Sequence, residues 1–119
     1  MRLLERRLHN GRLVCLLADR DLSRRGVRVP LLGAPARMPL GPAWLARTTG
    51  AVLLPVSTFY DPQRMHLVAH EPVEVPPGHH GLVDATAAVA DAFTAAIRRD
   101  PADWHMLQPV FEADLAGRR

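Results

Sequence analysis

The sequence has very little of several residue types that mark particular protein classes. Its 119 residues include one cysteine, no lysine and one isoleucine, and aromatic residues make up 5% of the chain. A lone Cys15 excludes a disulfide framework within the chain and is typical of a core residue in a reducing compartment. Because the chain has no paired cysteines, we also predict that it holds no metal site.

Long apolar runs are missing as well. No run approaches the roughly 18 residues that a membrane-spanning helix needs. Residues 1–7 (MRLLERR) lack the apolar core of a signal peptide. We therefore expect a chain that begins, and stays, in the cytoplasm. Its length leaves room for one domain with a modest core, which we assign to residues 1–119.

Acidic residues are scarce in the first part of the chain. Residues 1–50 carry ten arginines and three acidic residues, whereas residues 51–119 carry five arginines and nine acidic residues. The use of arginine alone, with abundant alanine and proline, is typical of a GC-rich genome. The basic half predicts contact with phosphate groups or with an anionic membrane surface. Nucleic acid is the less favoured alternative, because no aromatic platform or DNA-reading motif accompanies the charge.

The apolar pattern predicts three to four strands with flanking helices. Residues 11–18 are expected to form a strand that is buried on both faces, because the run is short, unbroken and closely bounded. Residues 51–58 and 65–69 are the next predicted strands, and residues 72–75 continue the third in weaker alternation. Since a helix separates the first two strands, we expect them to be parallel with a right-handed crossover. The predicted fold class is α/β, with a partial, mostly parallel sheet.

Helix start and stop signals complete this prediction. Residues 1–10 are typical of the remnant of a helix, and a second helix is expected between Pro42 and a cap at Gly50. Asp84 is predicted to be the N-cap of a third helix. A short fourth helix is expected after Asp100, and residues 117–119 are expected to form a frayed tail.

Polar and apolar side chains alternate after the first predicted strand. Asp19, Arg20 and Asp21 leave its carboxyl end, where open α/β sheets place their ligands. A basic turn and an apolar arm at residues 27–33 follow. Charge beside an apolar arm predicts a ligand with an anionic head and an apolar tail. The alternative for Arg20 is a salt bridge within its own loop.

Four stretches together carry a family resemblance that covers nearly the whole chain from residue 11. They are residues 16–27 (LLADRDLSRRGV), 31–33 (LLG), 37–51 (RMPLGPAWLARTTGA) and 100–107 (DPADWHML). This combination resembles the C-terminal half of the bacterial lysophospholipid acyltransferases. The similarity is greatest to the branch that acylates phosphatidylinositol mannosides and smaller to the lauroyl and myristoyl transferases of lipid A synthesis. The fold it implies is an incomplete glycerol-phosphate-acyltransferase-like domain.

The resemblance implies transfer of a fatty acyl group from acyl-CoA or acyl-carrier protein to a glycolipid hydroxyl. Acyl-CoA would be a substrate, and no cofactor is implied. In the family, the histidine of an H-x4-D/E motif acts as general base on the acceptor hydroxyl, and the carboxylate orients its ring. This motif lies upstream of the region that is present here. We therefore interpret the chain as a fragment that is inactive alone.

The resemblance also implies a set of substrate-binding residues. Those expected at the acceptor head group, or bracing the family's histidine, are Asp19, Arg20 and Asp21. Those expected to hold donor phosphates are Arg24, Arg25 and Arg37, and the alternative for each of them, which we prefer, is a solvated surface side chain. Arg28 is also in the set, at a position beside the catalytic histidine of the family. Those expected to form an apolar wall around the acyl chain are Leu31, Leu32 and Gly33. The chain departs from the family at two of these sites, with Arg28 where related members carry an acid and Leu-Leu-Gly in place of Phe-Phe-Gly.

Two stretches match the H-x4-D/E spacing by letter. His66 and Glu71 fall on a predicted strand, where residues five apart point to opposite faces, so we reject this pair. His79 and Asp84 lie between a Pro-Gly breaker and a predicted helix, so contact is possible there. The alternative for this second pair, which we prefer, is that Asp84 caps the helix and His79 is an exposed loop residue.

The sequence thus predicts the C-terminal part of a lipid acyltransferase. We expect the intact enzyme to be peripheral and to work at the cytoplasmic face of the plasma membrane, held by basic and apolar surface. One alternative is a non-catalytic module that binds lipid or CoA. A basic domain that binds nucleic acid is the less favoured alternative.

Overall fold

The computed structural model describes residues 1–117, so Arg118, Arg119 and most of the tail predicted at residues 117–119 lie outside the described residues. In chain order the elements are α1 (Arg2–His9), β1 (Val27–Leu31), β2 (Ala34–Met38), α2 (Gly41–Thr49), β3 (Val56–Tyr60), β4 (Met65–Ala69), α3 (Gly78–Arg99), a 3-10 turn (Pro101–Asp103) and α4 (Glu112–Ala116). The 22-residue α3 is the longest of these elements, and the β1–β2 hairpin packs against it.

The predicted parallel sheet is wrong. The strands form two separate two-stranded antiparallel sheets, β1 with β2 and β3 with β4. Strands joined by such short turns can pair only in the antiparallel sense, because a parallel pair needs a crossover of a dozen or more residues. The crossover that we expected would have joined residues 11–18 to residues 51–58, and these two segments do not pair.

The strand predicted at residues 11–18 is also wrong. These residues form a turn and coil without strand pairing, and Leu13 and Leu17 are 88% and 87% exposed. Within residues 1–117, the backbone groups of residues 13–18 take part in no hydrogen bond. An apolar run is buried as a strand only when neighbouring strands and covering elements surround it. The described part of the chain does not supply them.

The β1–β2 hairpin forms the centre of the larger core. Its apolar side chains Val29, Leu31, Ala36 and Met38 are buried against α3 together with Val110. The strands are joined by the two-residue turn Leu32-Gly33, in which both residues have positive φ, 54° and 80°. This is the type I′ geometry that matches the twist of a hairpin. The Leu32 backbone N–H donates to Thr94 Oγ1 of α3 at 3.0 Å, which ties the turn to the helix.

The helix predictions have mixed outcomes. A helix within residues 1–10 is confirmed by α1, and the helix from Pro42 is confirmed by α2, which ends at Gly50 in the left-handed conformation that the cap requires. The N-cap at Asp84 is wrong, because α3 begins six residues earlier. The short helix predicted after Asp100 is present only as the 3-10 turn at Pro101–Asp103, and α4 begins later, at Glu112. Among residues 1–117, no helix combines the length and the apolar character needed to cross a bilayer.

Candidate functional site

A groove of about 450 Å³ lies between the β3–β4 hairpin, the C-terminal part of α3 and the coil at residues 16–19. Its apolar wall comes from side chains of all three segments: Leu16, Leu17, Val56, Val68, Phe93, Ala96 and Ile97. Polar side chains also line the groove: Asp19, Ser57, His70, Arg99, Asp100 and Asp103. The groove therefore combines an apolar surface with hydrogen-bonding groups, which is typical of small-molecule sites.

Asp19 lies at this groove and is held there by a distant tryptophan. The indole Nε1–H of Trp104 donates to Asp19 Oδ2 at 3.1 Å. The hydrogen bond joins residues 85 positions apart, and it links two of the four stretches that carry the family resemblance. Since both Asp19 and Trp104 line the groove, the contact fixes the end of the coil at the groove wall.

Asp21 organises the loop that follows. Its Oδ1 accepts hydrogen bonds from the Ser23 backbone N–H at 2.9 Å and from the Ser23 hydroxyl at 2.6 Å, and its Oδ2 accepts one from the Gly26 N–H at 2.5 Å. Partial burial by itself would raise the pKa of Asp21. These hydrogen bonds, with the positive charge of Arg37, hold the pKa below its ordinary value. The carboxylate is therefore kept ionised and occupied by its own loop.

Two of the arginines in the predicted set meet on the β1–β2 hairpin. Arg28 and Arg37 are direct cross-strand partners, a placement that would repel if it were uncompensated. Glu112 lies between them, with Oε2 at 3.1 Å from Arg28 Nε and Oε1 at 3.4 Å from Arg37 Nη2. Arg37 also donates from Nη1 to the Gly26 carbonyl at 3.1 Å. These contacts form an exposed charged cluster around Glu112.

The residues predicted to bind substrate do not share one cavity. Asp19 lines the groove, and the others are not among its lining residues. Leu31 is fully buried in the core, while Leu32 and Gly33 form the hairpin turn. Arg20 is half-buried, and Arg24 is exposed with a φ of 59°.

The two histidine pairs that match the H-x4-D/E spacing remain apart. His79 and Asp84 both lie on α3, where five residues turn the side chain direction by about 140° after one full revolution. They make no hydrogen bond or ion pair within the described residues. His66 lies on β4, and Glu71 follows the strand. In residues 1–117, no group of three metal-ligating side chains comes together.

Two histidines each contact a polar side chain that the sequence did not predict as their partner. His70 Nε2 lies 2.8 Å from the Ser57 hydroxyl in the groove wall, and His66 Nε2 lies 2.5 Å from Asp61 Oδ2 at the hairpin turn. In the H-x4-D/E motif the carboxylate follows the histidine, whereas Asp61 precedes His66 by five residues. The signal that could have found this pair was present, because a turn between two strand-like runs predicts an antiparallel hairpin.

The Asp61–His66 pair belongs to a stack that joins the hairpin to the end of α3. The His66 ring is stacked on Phe59 with ring centroids 4.4 Å apart, and the Arg99 guanidinium lies 4.5 Å from the Phe59 ring centroid. The hydrogen bond from His66 lowers the pKa of Asp61 below its ordinary value, and the backbone N–H groups of Gln63 and Arg64 contribute further. The stack positions Phe59 and Arg99, which both line the groove.

Comparison with known proteins gives consistent relationships. Residues 1–113 match the family described as "Bacterial lipid A biosynthesis acyltransferase". The chain is 45% identical over 116 residues to a protein of Mycobacterium tuberculosis (strain ATCC 25618 / H37Rv) named "Phosphatidylinositol mannoside acyltransferase", with 98% of this chain and 36% of that protein covered. A Mycolicibacterium smegmatis protein of the same name is 43% identical, with 98% of this chain and 38% of that protein covered. The chain thus spans about a third of the length of these relatives.

Proposed function

The chain belongs to the bacterial lipid A biosynthesis acyltransferase family, and we propose that it forms the C-terminal, substrate-binding part of a lipid acyltransferase. The intact enzyme transfers a fatty acyl group from acyl-CoA or acyl-carrier protein to a glycolipid hydroxyl. A phosphatidylinositol mannoside is the proposed acceptor, because two mycobacterial relatives at 43–45% identity carry that substrate in their names. The enzyme works as a peripheral protein at the cytoplasmic face of the plasma membrane.

The observation that carries this proposal is the groove beside Asp19. Its volume of about 450 Å³ lies within the range of roughly 300–1,000 Å³ that is usual for small-molecule sites. The apolar side chains from α3 and the coil suit a fatty chain. The polar side chains, including Ser57 and His70, suit the carbonyl or hydroxyl end of the same ligand. An acyl donor bound here would have its apolar part removed from water, which favours binding in proportion to the area covered.

Acyl transfer also needs a base that removes the proton from the acceptor hydroxyl, and the base must lie within hydrogen-bond reach of that proton. In the family this base is the histidine of the H-x4-D/E motif. The one pair here that kept this interpretation open, His79 and Asp84, is separated around α3. We therefore propose that the isolated chain binds acyl donor without catalysing transfer.

Binding and turnover can be measured separately on the purified chain. We expect saturable binding of palmitoyl-CoA, followed by calorimetry, and no transfer of radiolabelled palmitate to phosphatidylinositol mannoside. Ala96→Trp, which fills the groove, should weaken the binding at least tenfold. The matched control is Ala102→Trp at an exposed position outside the groove, which should bind as the unmodified chain does.

The other functions predict different results in the same assays. Acyl transfer by the isolated chain that is lost in His79→Ala would contradict the proposal that its base lies elsewhere. Equal palmitoyl-CoA binding by both tryptophan variants would mean that the groove is not the donor site. A steeply salt-dependent affinity for DNA, without affinity for acyl-CoA or lipid, would favour the nucleic-acid alternative.

A further inference from the structure

The β3–β4 hairpin exposes most of its apolar side chains on one face. Cross-strand pairing in the observed register gives one face with six side chains, which we call the outer face: Val56, Thr58, Tyr60, Met65, Leu67 and Ala69. All six are exposed, and Leu67 is 67% exposed. The opposite face is half-buried and carries Ser57, Phe59, His66, Val68 and His70. Antiparallel sheets in water normally direct polar side chains outward, so an exposed face made mostly of apolar side chains departs from the usual arrangement.

The outer face continues into a second exposed apolar region. Leu13, Val52 and Leu54 are exposed and line a neighbouring groove of about 250 Å³. Val56 belongs to both the outer face and this groove. Contiguous exposed apolar surfaces of this kind commonly mark sites where a protein binds a partner.

The backbone beside this surface distinguishes a polypeptide from a lipid as the covering partner. Residues 13–18 lie along both grooves, and their backbone N–H and C=O groups have no hydrogen bond within the described residues. Covering these groups with hydrocarbon would leave them without hydrogen-bond partners, which strongly disfavours such a contact. A polypeptide can supply the missing donors and acceptors as well as apolar side chains.

The size of the outer face distinguishes a tethered segment from a second copy of the chain. Two strands of five residues cover about 17 Å by 10 Å. A stable association between separate proteins usually buries about 800 Å² on each partner. The outer face alone is well below that area. A segment of the same protein needs less area, because it does not lose the translational and rotational freedom of a separate molecule.

From these observations we propose that the outer face is the docking surface for the part of the acyltransferase that this chain does not match. That part amounts to about two thirds of the length of the mycobacterial relatives, since the chain covers 36–38% of them. The proposal rests on the proposed function for the identity of the partner. It adds that the partner packs on the exposed face of the hairpin, whereas the half-buried face, which carries Ser57, Phe59 and His70, contacts the substrate.

A hybrid protein tests the docking surface directly. In it, this chain replaces the matched third of the M. tuberculosis relative, to which it is 45% identical. Leu67→Cys, in a Cys15→Ser background, reports exposure through its rate of maleimide labelling, read at that position by mass spectrometry. We expect labelling at position 67 to be at least tenfold slower in the hybrid than in the isolated chain. Leu107→Cys is the matched control, because Leu107 is 93% exposed and lies outside the outer face, and it should label equally in both proteins.

Other partners would give other protection patterns. Equal labelling of position 67 in the hybrid and in the isolated chain would overturn the proposal. So would protection of position 67 in the isolated chain by anionic vesicles, which would identify a lipid surface, or by a dimer seen in sedimentation, which would identify a second copy. A hybrid that fails to fold while the relative itself folds would also count against it, because the surfaces would then not be complementary. A folded hybrid that protects position 67 and transfers no acyl group would support the docking surface and refute the proposed function.

Discussion

The β1–β2 and β3–β4 hairpins both have five residues in each strand, yet they direct their apolar side chains to opposite sides. In β1–β2, Leu31 and Met38 are buried against α3, and the exposed face carries Arg28 and Arg37. In β3–β4, the half-buried face carries Ser57, Phe59, Val68 and two histidines, and the mostly apolar face is exposed. The first hairpin buries its apolar face within the described chain. The second leaves its apolar face exposed there.

The largest expected difference between the hairpins is in how much their apolar side chains contribute to the free energy of unfolding. Leu31→Ala removes a fully buried side chain and should lower the free energy of unfolding by about 2–5 kcal/mol. Leu67→Ala removes an exposed one and should change it by less than about 0.5 kcal/mol. Urea unfolding followed by circular dichroism measures both. Similar losses for the two variants would contradict the assignment of β3–β4 as the hairpin without an apolar partner.

The aspartate beside β1–β2, Asp21, should likewise contribute more to the free energy of unfolding than the aspartate at the turn of β3–β4, Asp61. Asp21→Ala removes three hydrogen bonds to a half-buried carboxylate and should cost about 2 kcal/mol at neutral pH. Because the folded-state pKa of Asp21 lies below its ordinary value of 3.8, this stabilisation is present above that pH and is lost as the pH falls through the lower folded-state value. The difference between the unmodified chain and the variant should therefore shrink in acid. A difference that grows below pH 3.8 would contradict the lowered pKa. Asp61→Ala, at the exposed turn of β3–β4, should have the smaller effect at neutral pH.

The two turns provide a third comparison. Gly33→Ala places a side chain at a φ of 80°, which should cost about 1 kcal/mol even though a new Cβ would meet only the Arg98 side chain at 3.9 Å. Gln63→Ala, in the four-residue turn between β3 and β4, requires no such backbone conformation and should be nearly neutral. Thermal unfolding of both variants checks this. A neutral Gly33→Ala would mean that the tight turn relaxes freely.

The smallest expected effect on stability concerns the inner face of β3–β4. Ser57→Ala removes the hydrogen bond to His70 and should cost about 0.5–1 kcal/mol. We expect it to weaken palmitoyl-CoA binding as well, because Ser57 lines the groove, whereas Leu67→Ala on the outer face, outside the groove, should leave binding unchanged. Calorimetric titration of the two variants separates the faces. Equal binding by both would remove the distinction between a substrate face and a docking face.

Local sequence signals predicted the parts of this fold that depend on neighbouring residues. Pro42 and Gly50 bounded α2, and the alternation at residues 65–69 matched β4 at both ends. Asp84 was wrongly taken as an N-cap because a good capping residue also occurs inside a helix, where α3 exposes it. The site was less predictable. Its groove walls come from segments up to 88 positions apart, from Leu16 to Trp104.

The sequence by itself determined the family of the chain, the helices α1 and α2 and the strand β4, because each of these follows from the order and spacing of residues. The tertiary structure alone decided that the strands pair as two antiparallel hairpins, that residues 13–18 have no strand partner among residues 1–117 and that Asp19 is held by Trp104. The physical reason is that a run of apolar residues specifies a preference for burial but not the surface that buries it. Which face of each hairpin meets that surface depends on α3 and on the other elements that pack there.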